Sequence, residues 1–301
     1  MRMISVIICT YNRDKYIYNV LKSIAVGSYT DYEIVLVNNN STDDTEAECK
    51  RFTKDYPSIP FNYCIEREQG LSYARNCGIK QAKGDVLVYV DDDALVNEEY
   101  LATYANFFER NPHIDAAGGP IIPKYDGCEE PNWMSHYTRQ LITGKLYLGE
   151  TEKEFPKSAF PGGGNAGYRS NVFDKVGQFN VELGRKGNSL IGAEEKDLFD
   201  KMTTANMRFY YLPTAILYHL IPARKLTEDY FNRLTYGIGQ SERFRTKQIS
   251  NGKYAKRILS EVVKWCGTIV LWCAFLLKGS PTKGNKLVVF RKNVTKGLLG
   301  F

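Results

Sequence analysis

Residues 86–94 read VLVYVDDDA, an apolar run that ends abruptly in three carboxylates. A continuous run of β-branched and other apolar residues is typical of a strand that is buried on both faces of a sheet. Asp91, Asp92 and Asp93 follow this run with no spacer. The sequence therefore predicts a buried strand over residues 86–90 with a cluster of carboxylates at its carboxyl end.

Two further apolar runs, at residues 4–9 and 33–37, predict strands of the same kind. Between the runs, one helical face is formed by five residues: Tyr16, Ile17, Val20, Leu21 and Ile24. Two further stretches, residues 43–55 and residues 71–81, are compatible with helices. Alternating strands and helices predict an α/β fold, in which a parallel sheet is covered by helices on both faces.

A polar segment follows each predicted strand: TYNR at residues 10–13, NNNSTDD at residues 38–44, and DDDA at residues 91–94. In open parallel sheets, ligands bind beyond the carboxyl ends of the strands. We therefore expect these three segments to converge on one crevice. Helical spacing returns at residues 194–204 and 227–246, after loops that include the PGGGN turn at residues 161–165.

Charge is distributed unevenly over the 301 residues, whose net charge is +6. Residues 247–301 contain eleven bases and one acid, Glu261, so this tail carries +10. The first 246 residues therefore hold 29 bases and 33 acids, a charge of −4. A body with this balance predicts no nucleic-acid partner.

The tail also contains an apolar run, residues 262–277, that is interrupted only by Lys264. As a helix these sixteen residues would reach about 24 Å, less than the ~30 Å hydrocarbon core of a bilayer. The run therefore predicts an interfacial or re-entrant segment, with Trp265 and Trp272 at the headgroup level and a membrane surface as partner. The alternative is a core helix packed on the body, followed by a solvated basic tail.

Seven cysteines, an odd number without a C-x-x-C pair, argue against a disulfide framework and a zinc site. The N-terminal apolar run is too short for a signal peptide. We therefore expect a cytoplasmic protein that is peripheral on, or anchored in, the cytosolic face of the cell membrane.

The three aspartates are costly to bury unless a cation compensates them, and hard oxygen ligands suit Mg²⁺ or Mn²⁺. Such an ion usually completes its coordination with water and phosphate, which points to a diphosphate ligand. An acidic turn that caps a helix is the alternative interpretation.

The ordered motifs SVIICTYNR, VNNNSTDDT, GLSYARNCGI, VDDDA, PGGGNAGYRSNVFDKVGQF, GAEEKDL and LYH resemble family 2 glycosyltransferases of the GT-A fold. The resemblance covers most of residues 1–246. It implies a nucleotide-sugar-binding half at residues 1–119, an acceptor and catalytic half at residues 120–246, and the helical, membrane-associated tail at residues 247–301.

The site residues are assigned from this resemblance together with their chemistry. Nucleotide binding is assigned to Thr10, Tyr11, Asn12, Arg13, Asn39, Arg75, Asp91 and Asp92. The metal, Mn²⁺ or Mg²⁺, is assigned to Asp91, Asp93 and His219. The catalytic base is assigned to Glu195, with Glu194 and Asp197 as substitutes. The sugar or acceptor is assigned to Gly163, Gly164, Asn165 and Trp133.

The reaction implied is displacement at the anomeric carbon of a nucleotide-diphosphate sugar by an acceptor hydroxyl. One base and no covalent nucleophile predict inversion. Two positions depart from the family pattern: Asn38 and Asn39 replace a usual acidic residue, and Glu195 replaces the aspartate of Glu-Asp. A UDP-sugar is the favoured donor, although an amide lacks the charge that supports uracil recognition.

The expected acceptor is a glycan or lipid-linked glycan in cell-surface polysaccharide assembly. Two other functions stay open: a non-catalytic nucleotide- or sugar-binding scaffold, and a sugar nucleotidyltransferase, which would want a glycine-rich loop after the first strand. A dinucleotide oxidoreductase is excluded, because no G-x-G-x-x-G follows that strand.

Overall fold

The computed structural model describes residues 3–157, 159–187 and 189–301. The chain forms two compact units. Unit 1 comprises Met1–Lys124, Lys145–Glu182 and Glu194–Leu220, and unit 2 comprises Tyr125–Gly144, Leu183–Ala193 and Ile221–Phe301. The units therefore divide the chain differently from the predicted boundary at residue 246, and the functional halves stay a prediction.

The strands are numbered in chain order. They are β1 (Ile4–Thr10), β2 (Tyr32–Asn38), β3 (Phe61–Ile65), β4 (Val86–Val90), β5 (Ala94–Val96), β6 (Ala116–Gly118), β7 (Ile121–Asp126), β8 (Lys153–Glu154), β9 (Asn165–Arg169), β10 (Phe209–Tyr211) and β11 (Leu217–Pro222). In the described residues, eight of them form one sheet in the order β3-β2-β1-β4-β9-β6-β10-β8. The others form a small sheet in the order β5-β11-β7.

The first half of the large sheet is parallel, since β1 pairs in parallel with both β2 and β4, and β2 with β3. On its other edge β4 pairs antiparallel with β9, and Val90 lies opposite Asn165. This register brings the end of the aspartate-bearing strand next to the start of the strand that follows the glycine turn.

Helices cover both faces of the sheet in unit 1. They are α1 (Asp14–Ala25), α2 (Thr45–Asp55), α3 (Leu71–Gln81), α4 (Tyr100–Arg110), α6 (Val172–Val176) and α7 (Glu194–Thr204). Ile4, Val6 and Ile8 of β1 enter one core, and Ile7 enters the other. The predicted α/β class is therefore confirmed.

Sequence periodicity located several elements to the residue: residues 71–81, 86–90 and 194–204 were predicted as α3, β4 and α7. His219 is the histidine of the quoted motif LYH. It lies inside β11, opposite Ala94 of β5, so the strand continues past the histidine.

Unit 2 is mainly helical. Its helices are α5 (His136–Thr143), α8 (Glu228–Ile249), α9 (Asn251–Leu277) and α10 (Pro281–Leu299). A cluster of buried side chains forms its core: Met134, Ile142, Ile221, Phe231 and Leu234.

Helices α8 and α10 approach closely through glycine. A Cβ at Gly239 would lie 2.1 Å from the carbonyl oxygen of Val294, and one at Gly297 would lie 2.2 Å from that of Tyr236. Any larger residue at these two positions would force the helix backbones apart.

Helix α9 corrects the predicted length of the apolar segment. The helix has 27 residues rather than the sixteen of the apolar run, because it begins at Asn251, where Ser250 accepts a hydrogen bond from the Lys253 N–H at 3.1 Å. By length and composition α9 is the one helix in the described residues that could cross a membrane.

Candidate functional site

The carboxylates after β4 lie where two strands meet in unit 1. Asp93 is buried, and its Oδ1 lies 3.3 Å from Nε2 of His219. The backbone oxygen of Asp93 also accepts a hydrogen bond from the Leu220 N–H at 2.8 Å. The structure thus brings together two of the three predicted metal ligands, Asp93 and His219.

Arg13 is an internal cation for this cluster. Its Nε donates to Oδ1 of Asp92 at 3.1 Å, and its NH2 lies 3.9 Å from Oδ2 of Asp93. The backbone N–H of Tyr11 donates to Oδ2 of Asp92 at 3.3 Å. Asp92 therefore anchors the loop after β1, and its contact with a nucleotide stays a prediction.

Burial raises the pKa of Asp91, and the neighbouring Asp93 raises it further, while Arg75 lowers it. Burial also raises the pKa of Asp92, and Arg13 opposes that shift. Burial is the largest cause of both shifts, and the neighbouring cations offset it only in part. This observation fits a divalent cation at Asp91 and Asp93, with His219 beside them.

A metal ion at this site would need ligands in addition to the side chains of the protein. No group of three or more His, Cys, Asp or Glu side chains in residues 3–157, 159–187 and 189–301 is arranged to hold a metal ion unaided. Substrate oxygens and water would complete the shell, as is usual for hard cations bound by one or two carboxylates.

Arg75 holds the two glutamates that begin α7. Its NH1 donates to Oε1 of Glu194 at 2.9 Å, and its NH2 donates to Oε1 of Glu195 at 2.7 Å. The guanidinium is buried and lies 5.1 Å from the Phe179 ring and 5.8 Å from the Tyr89 ring. Arg75 thus binds both carboxylates, and its predicted contact with the nucleotide stays a prediction.

Glu195 is the most accessible carboxylate of this group, with 28% of its side chain exposed against 5% for Glu194. Its Oε2 accepts a hydrogen bond from the Gly163 N–H at 3.1 Å. Asp197, the other substitute, forms an ion pair with Lys201 at 2.7 Å. Geometry therefore favours Glu195 among the three predicted bases.

Gly163 and Gly164 make room for carboxylates. A Cβ at Gly163 would lie 1.7 Å from Oε1 of Glu195, and one at Gly164 would lie 2.1 Å from Oδ2 of Asp91. Two consecutive glycines therefore lie between Glu195 and Asp91. Their contact with a sugar stays a prediction.

The side chain of Asn165 is hydrogen-bonded inside the protein, and its contact with a sugar stays a prediction. Its side chain is fully buried. Its Oδ1 accepts from the hydroxyls of Tyr100 and Tyr104, each at 2.8 Å, and its Nδ2 donates to the carbonyls of Pro120 and Ala215 at 2.9 and 3.0 Å. All the hydrogen-bonding capacity of this amide is used inside the protein.

The Asn39 side chain is also hydrogen-bonded inside the protein, and its contact with a nucleotide stays a prediction. Nδ2 donates to the carbonyls of Glu66 and Glu68 at 2.9 and 2.8 Å. Oδ1 accepts from the Gly70 N–H at 2.7 Å and from Nε2 of Gln69 at 3.3 Å. Asn39 thus fixes the loop between β3 and α3.

The loops after β1 and β2 are tied to each other. Oδ1 of Asn12 accepts from the Thr42 N–H at 2.8 Å, and the Asn12 N–H donates to Oγ of Ser41 at 3.0 Å. Thr10 is buried beneath this junction, whereas 38% of Tyr11 is exposed. The Tyr11 ring is therefore the part of the predicted nucleotide set that remains open for stacking.

Trp133 belongs to unit 2. Its ring packs against Phe231, with centroids 5.4 Å apart, and Nζ of Lys286 lies 4.6 Å from its centroid. Its proposed contact with an acceptor stays a prediction.

Two further residues, Asn76 and Phe179, support the position of Arg75 and were not among the residues predicted from the sequence. Nδ2 of Asn76 donates to the Phe179 carbonyl at 2.9 Å, and the Phe179 N–H donates back to Oδ1 at 3.0 Å. Asn76 lies in the quoted motif GLSYARNCGI, directly after Arg75. This adjacency to Arg75 is the sequence feature that could have indicated a role for Asn76 in the site.

Residues 5–177 match the family described as glycosyl transferase family 2. The chain belongs to this family. The match includes the loops after β1, β2 and β4 and the glycine turn before β9. The family predicted from the motifs is therefore confirmed.

Two curated relatives illustrate the range of the family. The chain is 38% identical over 259 residues to glycosyltransferase GlyA of Streptococcus pneumoniae, which covers 83% of this chain and 35% of the relative. It is 27% identical over 196 residues to the glucosyl-dolichyl phosphate glucuronosyltransferase of Haloferax volcanii, covering 64% and 60%. The chain thus spans less than two thirds of the length of either relative.

Solved structures confirm the GT-A fold. The mannosyltransferase PcManGT of Pyrobaculum calidifontis, in complex with GDP-Man and Mn²⁺, has a TM-score of 0.63 at 16% identity and covers 99% of this chain and 87% of its own. Staphylococcus aureus TarS 1–349 in complex with UDP has a TM-score of 0.52 at 20% identity, covering 98% and 90%.

Proposed function

We propose that this glycosyltransferase moves a sugar from a nucleotide-diphosphate sugar to a hydroxyl of a glycan or lipid-linked acceptor, with inversion, in cell-surface polymer assembly. One observation carries the proposal. Gly163 and Gly164 place Glu195 and Asp91 on either side of a two-residue turn. A proton acceptor and a cation-binding carboxylate are thereby held at one site.

Asp91 and Asp93 would hold the divalent cation, with His219 beside Asp93 and with substrate oxygens and water as the other ligands. The cation would supply charge neutralisation for the departing diphosphate. Glu195 accepts the proton of the attacking hydroxyl. Arg75 and the Gly163 N–H each bind one of its oxygens, which fixes the orientation of the carboxylate. One base acting in one displacement inverts the anomeric carbon.

Our proposed donor is a UDP-sugar, with a GDP-sugar as the tested alternative. The neighbouring structures hold UDP in one case and GDP-Man in the other. Because the Asn39 amide is consumed in the fold, base recognition must use other groups of the site. A membrane-bound acceptor at the cytosolic face is part of the same proposal.

The test is a donor screen. Purified protein is incubated with Mn²⁺ or Mg²⁺ and a panel of UDP- and GDP-sugars, and release of nucleoside diphosphate is measured. We expect release from one donor, loss of release with chelator or in Asp93→Ala, and a drop of about 10²-fold or more in Glu195→Gln.

Asp174→Ala is the matched control, because it removes an exposed carboxylate from α6. It should leave release unchanged. Absence of release and of metal-linked binding for every donor would favour the non-catalytic scaffold instead.

A further inference from the structure

One face of α9 carries a continuous apolar surface that the described residues of unit 2 leave exposed. We call it the apolar stripe: Leu259, Val262, Val263, Cys266, Ile269, Val270, Cys273, Leu276 and Leu277. Val263 is 69% exposed, Val270 68% and Leu277 90%. Spacings of three and four residues place all of these side chains on one side of the helix. An apolar surface of this length marks an interaction site.

The opposite face of α9 is bound to its neighbours by polar contacts. Oε2 of Glu261 accepts from NH1 of Arg257 at 2.7 Å, and its Oε1 accepts from NH1 of Arg291 on α10 at 2.8 Å. Arg257 also donates to Glu242 of α8 at 3.1 Å, and Glu242 pairs with Arg245 at 3.3 Å. Five charged side chains therefore lie together between α8, α9 and α10.

The two indole N–H groups of α9 are likewise satisfied by α10. Trp265 donates to Oγ1 of Thr295 at 2.9 Å, and Trp272 donates to Oδ1 of Asn285 at 2.9 Å. Their rings line an open groove with Ile269, Val288 and Val289. The rings thus extend the apolar stripe toward α10 without leaving an unpaired donor.

Within residues 247–301, the exposed charged side chains are all basic. Glu261 is the one acid in residues 247–301, and it is buried. The exposed bases include Lys253 and Lys256 at the start of α9, and Lys278 at its end. An apolar stripe with lysines at both ends complements a bilayer that contains anionic lipids.

We propose that the apolar stripe lies in the plane of an anionic bilayer surface and does not cross the bilayer. A crossing orientation would draw the ionic cluster of α8, α9 and α10 into hydrocarbon, where charged groups are costly. An in-plane orientation buries the stripe and leaves that cluster inside unit 2. A second copy is a poorer occupant, because stripes packed on each other would bring the lysine ends together.

Vesicle sedimentation tests whether an anionic bilayer binds the apolar stripe. The full chain should sediment with phosphatidylcholine vesicles that contain about a third phosphatidylglycerol, and less with phosphatidylcholine alone or at high salt. The double variant Val263→Glu/Val270→Glu should lose at least tenfold in bound fraction. The matched control is Val26→Glu/Val181→Glu, which changes exposed valines of unit 1 and should bind normally.

Depth measurement tests the orientation. Cys266 and Cys273 are native exposed thiols on the stripe, and Leu259→Cys and Leu277→Cys place thiols at its ends. A fluorophore on each thiol is quenched by lipids that carry nitroxides at known depths. In-plane binding predicts that all four positions share a depth within about 5 Å, near the acyl boundary.

If the two ends of the apolar stripe lay at opposite interfaces of the bilayer, about 30 Å apart, the proposal would be overturned in favour of a spanning helix. Failure to sediment, or a stripe variant that changes only the oligomeric state, would overturn it in favour of a protein partner. Donor hydrolysis is measured separately on the same variants and should stay normal, so failure of the docking surface is distinguishable from failure of the proposed transferase chemistry.

Discussion

At the scale of single residues, the site depends on how the Arg75 guanidinium is shared between two carboxylates. Arg75 is buried between Glu194 and Glu195, with a different nitrogen on each carboxylate. Because both of these nitrogens already bind carboxylates, we propose that Arg75 is a positioning residue.

We therefore predict that Arg75→Lys lowers kcat while the donor KM stays within about threefold, because a lysine cannot reproduce the planar two-pronged geometry. Arg75→Ala should also cost about 3–5 kcal/mol of unfolding free energy, since it leaves buried carboxylates uncompensated. Steady-state kinetics and denaturant unfolding measure both effects. If Arg75→Lys raised only the donor KM, that result would instead support a role for Arg75 in nucleotide binding.

The second residue-scale prediction concerns Asn39→Asp, which restores the acidic residue usual in the family. The carboxylate would face the carbonyls of Glu66 and Glu68 and lose both donors. We expect a loss of about 1–3 kcal/mol in unfolding free energy and no gain in preference for UDP over GDP. Thermal melting and the donor screen test this. Better use of UDP with unchanged stability would contradict it.

These residues show what the sequence could and could not reveal. The motif positions of Asn39 and Asn165 were visible, but their partners lie at distant positions such as Glu66 and Tyr100. Whether an amide binds a ligand or the fold depends on those partners. Chemistry at one position does not determine them.

At the scale of elements, the pairing of β4 with β9 sets the distance between the two halves of the site. Val90 faces Asn165, so the glycine turn lies directly beside Asp91. Periodicity predicted β4 and α7 to the residue. It could not predict β9, because residues 120–193 lack a regular pattern and their register is set by pairing with distant strands.

The element-scale prediction is that Gly164→Ala weakens metal binding. Its Cβ would lie 2.1 Å from Oδ2 of Asp91, which must move. We expect about tenfold weaker binding of Mn²⁺ in the presence of nucleoside diphosphate, followed by electron paramagnetic resonance.

Gly267→Ala is the matched control, because a Cβ there meets no atom within 4 Å. Its Mn²⁺ binding should equal that of the wild type. Unchanged binding in Gly164→Ala would show that Asp91 does not hold the ion.

At the scale of the whole molecule, the division of the chain into two compact units was harder to predict from the sequence than the parallel part of the sheet. The apolar run at residues 262–277 was read as the whole helix, whereas α9 begins eleven residues earlier, at Asn251. The length argument for an interfacial segment is therefore wrong. The in-plane orientation now rests on the charged cluster around Glu261, which sequence spacing alone did not show.

The fourth prediction concerns the close crossing of α8 and α10. Gly297→Ala should lower the melting temperature and the α-helical circular dichroism signal, because its Cβ would lie 2.2 Å from the Tyr236 carbonyl oxygen. Overpacking of this kind costs about 1–3 kcal/mol. Gly252→Ala, which meets only Ser250 Oγ at 3.8 Å, should melt like the wild type.

The position of β4 between β1 and β9 also affects how the protein is synthesised. A ribosome that has translated through the aspartates has produced β1, β2 and β4, yet β9, Glu195 and His219 are still to come. A nascent chain thus contains the carboxylates after β4 long before it contains the proposed proton acceptor. On the proposed chemistry, unfinished copies cannot hydrolyse nucleotide sugar while they wait on the ribosome.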